Sequence, residues 1–151
     1  MRISCNFDSG NIIVKSIQSA RDIRLMIRRD NGSHFYQWFH FRLTGAKGKN
    51  CVLRITNAGK SAYPKGWPGY RACASYDRED WFRVPTRFDG KALIIRHRPL
   101  QDSVTYAYFA PYSMERHADL VAGTACQPGV ELEVLGQTLN GQDMDLLKFD
   151  A

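Results

Sequence analysis

Residues 35–43, FYQWFHFRL, put Phe35, Gln37, Phe39, Phe41 and Leu43 on one side of the chain and Tyr36, Trp38, His40 and Arg42 on the other. A helix would scatter those groups around its circumference, whereas a period of two sorts them onto the two faces of a strand. Shorter runs with strand character recur at 11–15, 23–28, 51–57, 71–76, 81–84, 92–98 and 104–109. Turn-forming clusters punctuate them: Asp8-Ser9-Gly10, Asp30-Asn31-Gly32-Ser33, Thr44 to Asn50, Asp77 to Asp80, Phe88-Asp89-Gly90 and Leu100 to Ser103. Many short strands at this spacing predict an all-β sandwich or barrel.

One helix is expected, over 113–122, with Ser113 as its N-cap, Pro111 just ahead of it and Gly123 as its stop. The tail then alternates strictly over 130–136, turns at Asn140-Gly141 and returns over 144–149, which predicts a hairpin. Residues 58–70 hold Gly59, Pro64, Gly66, Pro68 and Gly69, so regular structure is not expected there. Lys60, Tyr63, Lys65, Trp67, Tyr70 and Arg71 interleave basic and aromatic groups along this loop. Such a loop can stack on sugars or bases and hold anions. Equally, its rings can be buried at a domain contact while the basic heads reach water.

Catalytic patterns do not emerge from the residues. The four histidines, 34, 40, 97 and 117, form no H-x-x-E or H-E-x-x-H spacing. On one strand His34 and His40 would lie about 20 Å apart and could not share a metal. No G-x-S-x-G elbow and no phosphate-binding glycine loop is present. Cysteines 5, 51, 73 and 126 form no C-x-x-C pair, and free buried thiols are expected. The first residues lack an apolar signal core, and no apolar run approaches the roughly 20 residues of a membrane span. These features point to a cytoplasmic protein with no membrane partner. The net charge of +6 suits an acidic partner, but the basic residues are dispersed, which disfavours nucleic acid.

Several motifs together resemble a known family. They are FYQWFHF at 35–41, NAGKSAYPKGW at 57–67, SYD at 75–77, WFRVPT at 81–86 and YFAPYS at 108–113. In this order they are similar to the amino-terminal domain of the cytosolic carboxypeptidases of the M14 metallopeptidase group. The tail LGQTLNGQDMDLL at 135–147 resembles the first hairpin of an M14 catalytic domain. The resemblance implies an amino-terminal antiparallel β-sandwich with one short helix over 1–125. Residues 126–151 would then open a following α/β carboxypeptidase domain, truncated before its zinc motif.

On this resemblance the parent enzyme uses zinc to hydrolyse C-terminal residues, glutamates among them, from acidic peptides. The present chain would hold no zinc ligand and no catalytic residue, and would support the catalytic domain and shape the substrate's approach. Lys60, Tyr63, Trp67, Tyr70, Arg71, Tyr112 and Arg116 are the candidate contacts with that domain or with the substrate groove. The alternative is a free-standing sandwich that binds carbohydrate or anionic ligands through Tyr63, Trp67 and Tyr70. Either way the tail hairpin is expected to be disordered, docked, or paired in a homo-oligomer through exposed strands.

Overall fold

The computed structural model describes residues 1–150 and divides by compactness into two units, Met1–Pro111 and a second beginning at Tyr112. The first unit contains two five-stranded sheets around one core. One sheet runs β1 (Arg2–Ser4), β4 (His40–Thr44), β10 (Ser103–Ala107), β6 (Cys73–Ser75), β7 (Phe82–Arg83). The other runs β2 (Ile13–Ser19), β3 (Asp22–Met26), β5 (Cys51–Ile55), β9 (Leu93–His97), β8 (Thr86–Phe88). Every pairing is antiparallel except β3 with β5, so the second sheet is mixed.

Alternation explains which residues face inward. In β5, Cys51, Leu53 and Ile55 are buried while Val52 and Arg54 between them are not. Ile23 and Leu25 of β3 and Leu93 and Ile95 of β9 join them. Phe41 and Leu43 of β4 and Val104 and Tyr106 of β10 meet them from the facing sheet, with the Phe41 and Tyr106 rings 5.3 Å apart. Each such side chain contributes roughly 1.5–3 kcal/mol on leaving water. On the outer face, parallel pairing sets Arg24 beside Arg54, and Asp22 lies 3.0 Å from Arg24 and 3.5 Å from Arg54, offsetting the like charges.

Two expected elements differ. The ladder of β4 begins only at His40, so residues 35–39 lie outside the sheet. Four of their five carbonyls are satisfied elsewhere: Phe35 O accepts from Asp30 N, Tyr36 O from Ala62 N, Trp38 O from Asn11 Nδ2 and Phe39 O from Tyr108 N. His34 therefore lies in a turn and shares no strand with His40. The four cysteines are free as expected, but only Cys51 and Cys73 are buried; Cys126 is exposed.

In the second unit, α1 (Met114–Ala125) is capped by Ser113, whose Oγ accepts the Arg116 amide at 3.3 Å. The helix runs through Gly123 instead of stopping there and closes at Cys126. β11 (Val130–Gln137) and β12 (Asp143–Phe149) form the hairpin, with a register shift between Val134 and Gln137. Gly141 at the turn has φ +77°, which a side chain rarely tolerates. His117 Nε2 on the helix sits 3.3 Å from Asp145 Oδ2 on β12. The helix thus clusters with the hairpin in the second unit.

Candidate functional site

The glycine- and proline-rich loop is held from inside. It makes two single 3-10 turns, Ala58–Lys60 and Pro64–Gly66. Trp67 follows them and is completely buried. Its indole N–H is shared between Ala58 O and Ser61 Oγ, each 2.9 Å away, so one donor closes the loop onto itself. Gln37 grips the middle: Tyr63 N donates to Gln37 Oε1 at 2.9 Å and Gln37 Nε2 donates to Tyr63 O at 3.3 Å. Gly59 leans on the neighbouring turn, where a Cβ would stand 2.6 Å from Gly90 O. Gly66 leaves room for the Tyr63 ring, which a Cβ there would also meet at 2.6 Å.

The candidate residues of this loop divide into two sets. Trp67 and Tyr70 belong to the aromatic interior, with ring centroids 5.2 Å apart and both packed on Tyr108. The Tyr70 hydroxyl donates to Tyr108 O, and burial pushes its phenol pKa up. Trp67, a candidate interdomain or substrate-groove contact in the sequence, is a core residue of this unit, because the loop's own carbonyl and hydroxyl capture its indole. Lys60, Tyr63 and Arg71 reach solvent, Tyr63 being 60% exposed. Arg71 donates to Arg83 O, Arg83 returns a bond to Arg71 O, and the Arg83 guanidinium lies 6.0 Å from the centre of the Tyr70 ring. In the second unit Tyr112 is exposed with its ring against His117, and Arg116 is exposed on the first turn of α1.

His40 is not among the candidate site residues that the sequence offers. It is 1% exposed, ringed edge-on by Phe7, Trp38 and Trp81, with centroids 4.9, 5.9 and 6.1 Å away. Its Nδ1 is 2.9 Å from Ser9 Oγ, while its Nε2 is buried with no partner among the described residues. Burial, with the Arg78 charge adding to it, lowers its pKa to about 4. Among the described residues, Ser9 and Arg78 are the non-glycine residues held at positive φ, 59° and 70°. Only the mixed aromatic–polar face of residues 36–42 signalled this cluster.

No three His, Cys, Asp or Glu side chains come together to hold a metal among the described residues. His117 with Asp145 supplies two donors, and His40, within electrostatic reach of Asp8, belongs to no group of three. The donor set a zinc ion requires is not offered by these residues. No helix among them is long and apolar enough to cross a membrane.

A family model described as the cytosolic carboxypeptidase N-terminal domain matches residues 3–109. A metallo-carboxypeptidase from Burkholderia cenocepacia superposes with a TM-score of 0.97 at 51% identity, over 99% of this chain and 39% of that one. A metallo-carboxypeptidase from Pseudomonas aeruginosa, solved in complex with (2-guanidinoethylmercapto)succinic acid, gives 0.94 at 46%, over 97% of this chain and 40% of its own. An uncharacterized protein of Zymomonas mobilis is 49% identical over 147 residues, which is 97% of this chain and 38% of that protein. The chain therefore spans less than half the length of these relatives.

Proposed function

The chain belongs to the cytosolic carboxypeptidase N-terminal domain family, and on that footing we propose that it serves as the non-catalytic amino-terminal domain of a zinc metallocarboxypeptidase. One observation carries this reading. Nearly the whole chain matches a metallo-carboxypeptidase of which it accounts for only 39%. The zinc and the groups that act with it then belong to the part of the parent outside these residues, in keeping with a donor set that does not fit the metal here. Residues 126–151 open that catalytic domain, and the parent works in the cytoplasm.

The domain's task in this reading is to support the catalytic half and shape the path to its cleft. Lys60, Tyr63, Arg71, Tyr112 and Arg116 supply the contact, with Trp67 and Tyr70 fixing the loop from behind. An acidic peptide, glutamate-ended in the simplest case, suits the +6 charge. The free-standing carbohydrate module is the weaker reading, because a stacking platform needs accessible rings and Trp67 is entirely enclosed.

The test compares the 151-residue chain with the longer protein that carries it, each incubated with zinc and given a peptide ending in glutamate. The longer protein releases the terminal residue, and Lys60→Glu with Arg71→Glu lowers its kcat/KM several-fold. Unchanged kinetics in that double variant would remove the loop from the contact. No release by the longer protein would remove the carboxypeptidase reading itself.

A further inference from the structure

We propose that the outer face of β1 and β4 is a binding site for a single tetrahedral oxyanion of the phosphate class, held by Arg2, Arg42, Ser4 and Thr44. This site is independent of the carboxypeptidase reading.

These four side chains line a cleft of about 150 Å³. The register explains how they meet. Arg2 is opposite Thr44 and Ser4 is opposite Arg42. Phe41 and Leu43 of β4 are fully buried, so Arg42 and Thr44 between and beyond them face outward. Arg2 and Arg42 are then diagonal neighbours, roughly 7–8 Å apart at the backbone, within reach of one small ligand.

Two like charges on adjacent strands repel unless something neutralises them. Elsewhere this fold supplies the neutralising group itself: Arg24 and Arg54 are set side by side with Asp22 between them. At the β1/β4 cleft, among the described residues, neither guanidinium makes an ion pair or a side-chain hydrogen bond. The hydroxyls are also disposed to donate. Ser4 Oγ accepts the Asn6 amide at 3.5 Å, which leaves its own proton free. Thr44 Oγ1 lies 3.5 Å from Arg2 O, the long limit for such a bond, and can turn to a better acceptor.

Charge decides the class of anion. Two guanidinium groups match a phosphate carrying about −1.5 to −2, and its several oxygens use four donors. A simple carboxylate would leave one positive charge over.

The experiment is a titration of the 151-residue chain with inorganic phosphate at fixed ionic strength, followed by amide chemical shifts. Saturable shifts confined to residues 2–4 and 42–44 are expected. Arg42→Gln and Arg2→Gln should each weaken binding at least tenfold, and Lys15→Gln, which removes the same charge from β2, should not. Acetate should bind at least tenfold more weakly than phosphate. Circular dichroism confirms that each variant is folded, and two independent arginine variants keep the test alive if one is not. Unsaturable or dispersed shifts, an equal loss in Lys15→Gln, or acetate binding as tight as phosphate would overturn the site.

Discussion

Trp67 Nε1 and Ser61 Oγ are 2.9 Å apart inside the sandwich, and the same N–H reaches Ala58 O at 2.9 Å. A loop rich in glycine and proline is thus fixed by one indole. Trp67→Ala is expected to cost about 3–5 kcal/mol, as for large aromatic deletions in cores. Trp67→Phe keeps much of the packing but leaves Ala58 O without this donor, and should cost about 1–3 kcal/mol. Urea denaturation measures both; a Trp67→Ala change below 1 kcal/mol would mean the loop is not anchored this way.

The two tight glycines of the loop should respond differently to alanine. At Gly59 the added Cβ meets the backbone oxygen of Gly90 at 2.6 Å, and Gly59 N also donates to Lys91 O at 2.8 Å. Backbone cannot swing aside, so Gly59→Ala is expected to cost about 1–3 kcal/mol. At Gly66 the obstacle is the exposed Tyr63 ring. That ring can rotate away, so Gly66→Ala should be the milder change in thermal unfolding while altering the loop's surface.

Stability should fall on acidification from pH 6.5 towards 4. His40 has a folded pKa of about 4 against an ordinary 6.5, so the unfolded chain binds the proton more readily. A lowered histidine pKa contributes fully above the unfolded value and is lost as pH falls between the two. The interval corresponds to roughly 3 kcal/mol at most. His97, lowered by burial and bonded through Nδ1 to the Tyr106 hydroxyl at 2.9 Å, acts with the same sign. His40→Gln should flatten the dependence in denaturation curves taken across this window; an unaltered slope would locate the titration elsewhere.

Much of this fold was legible because its signals are local. The alternation of Cys51, Leu53 and Ile55, the Ser113 cap and the Asn140-Gly141 turn each act over a few residues. What escaped was set by distant partners. Residues 35–39 read as strand, yet four of their five carbonyls bond to a turn, a loop, the Asn11 side chain and Tyr108. β1 is too short and polar to show a period, and the parallel pairing of β3 with β5 is not local. In the candidate surface, the residue types of the loop were visible but their direction was not. A loop has no period to tell inward from outward, so Trp67 and Tyr63 looked equivalent until Ser61 and Gln37 were seen to hold them.

The second unit should open before the first. Val121 is its buried apolar residue, whereas Leu132, Val134, Leu135 and Phe149 remain exposed. Few buried contacts mean a small free energy of local opening. Hydrogen exchange should therefore show lower protection for β11 and β12 than for β4 and β5, and Ser113→Ala should lower helix protection by about 1 kcal/mol. Equal protection across both units would contradict this.

These residues match the N-terminal domain of metallocarboxypeptidases, and the proposal places the catalytic groups of the parent outside them. The direct measurement is zinc content and release of the terminal residue from a glutamate-ended peptide by the purified 151-residue chain. No stoichiometric zinc and no release above background are predicted. Zinc-dependent release that a chelator abolishes would contradict the account.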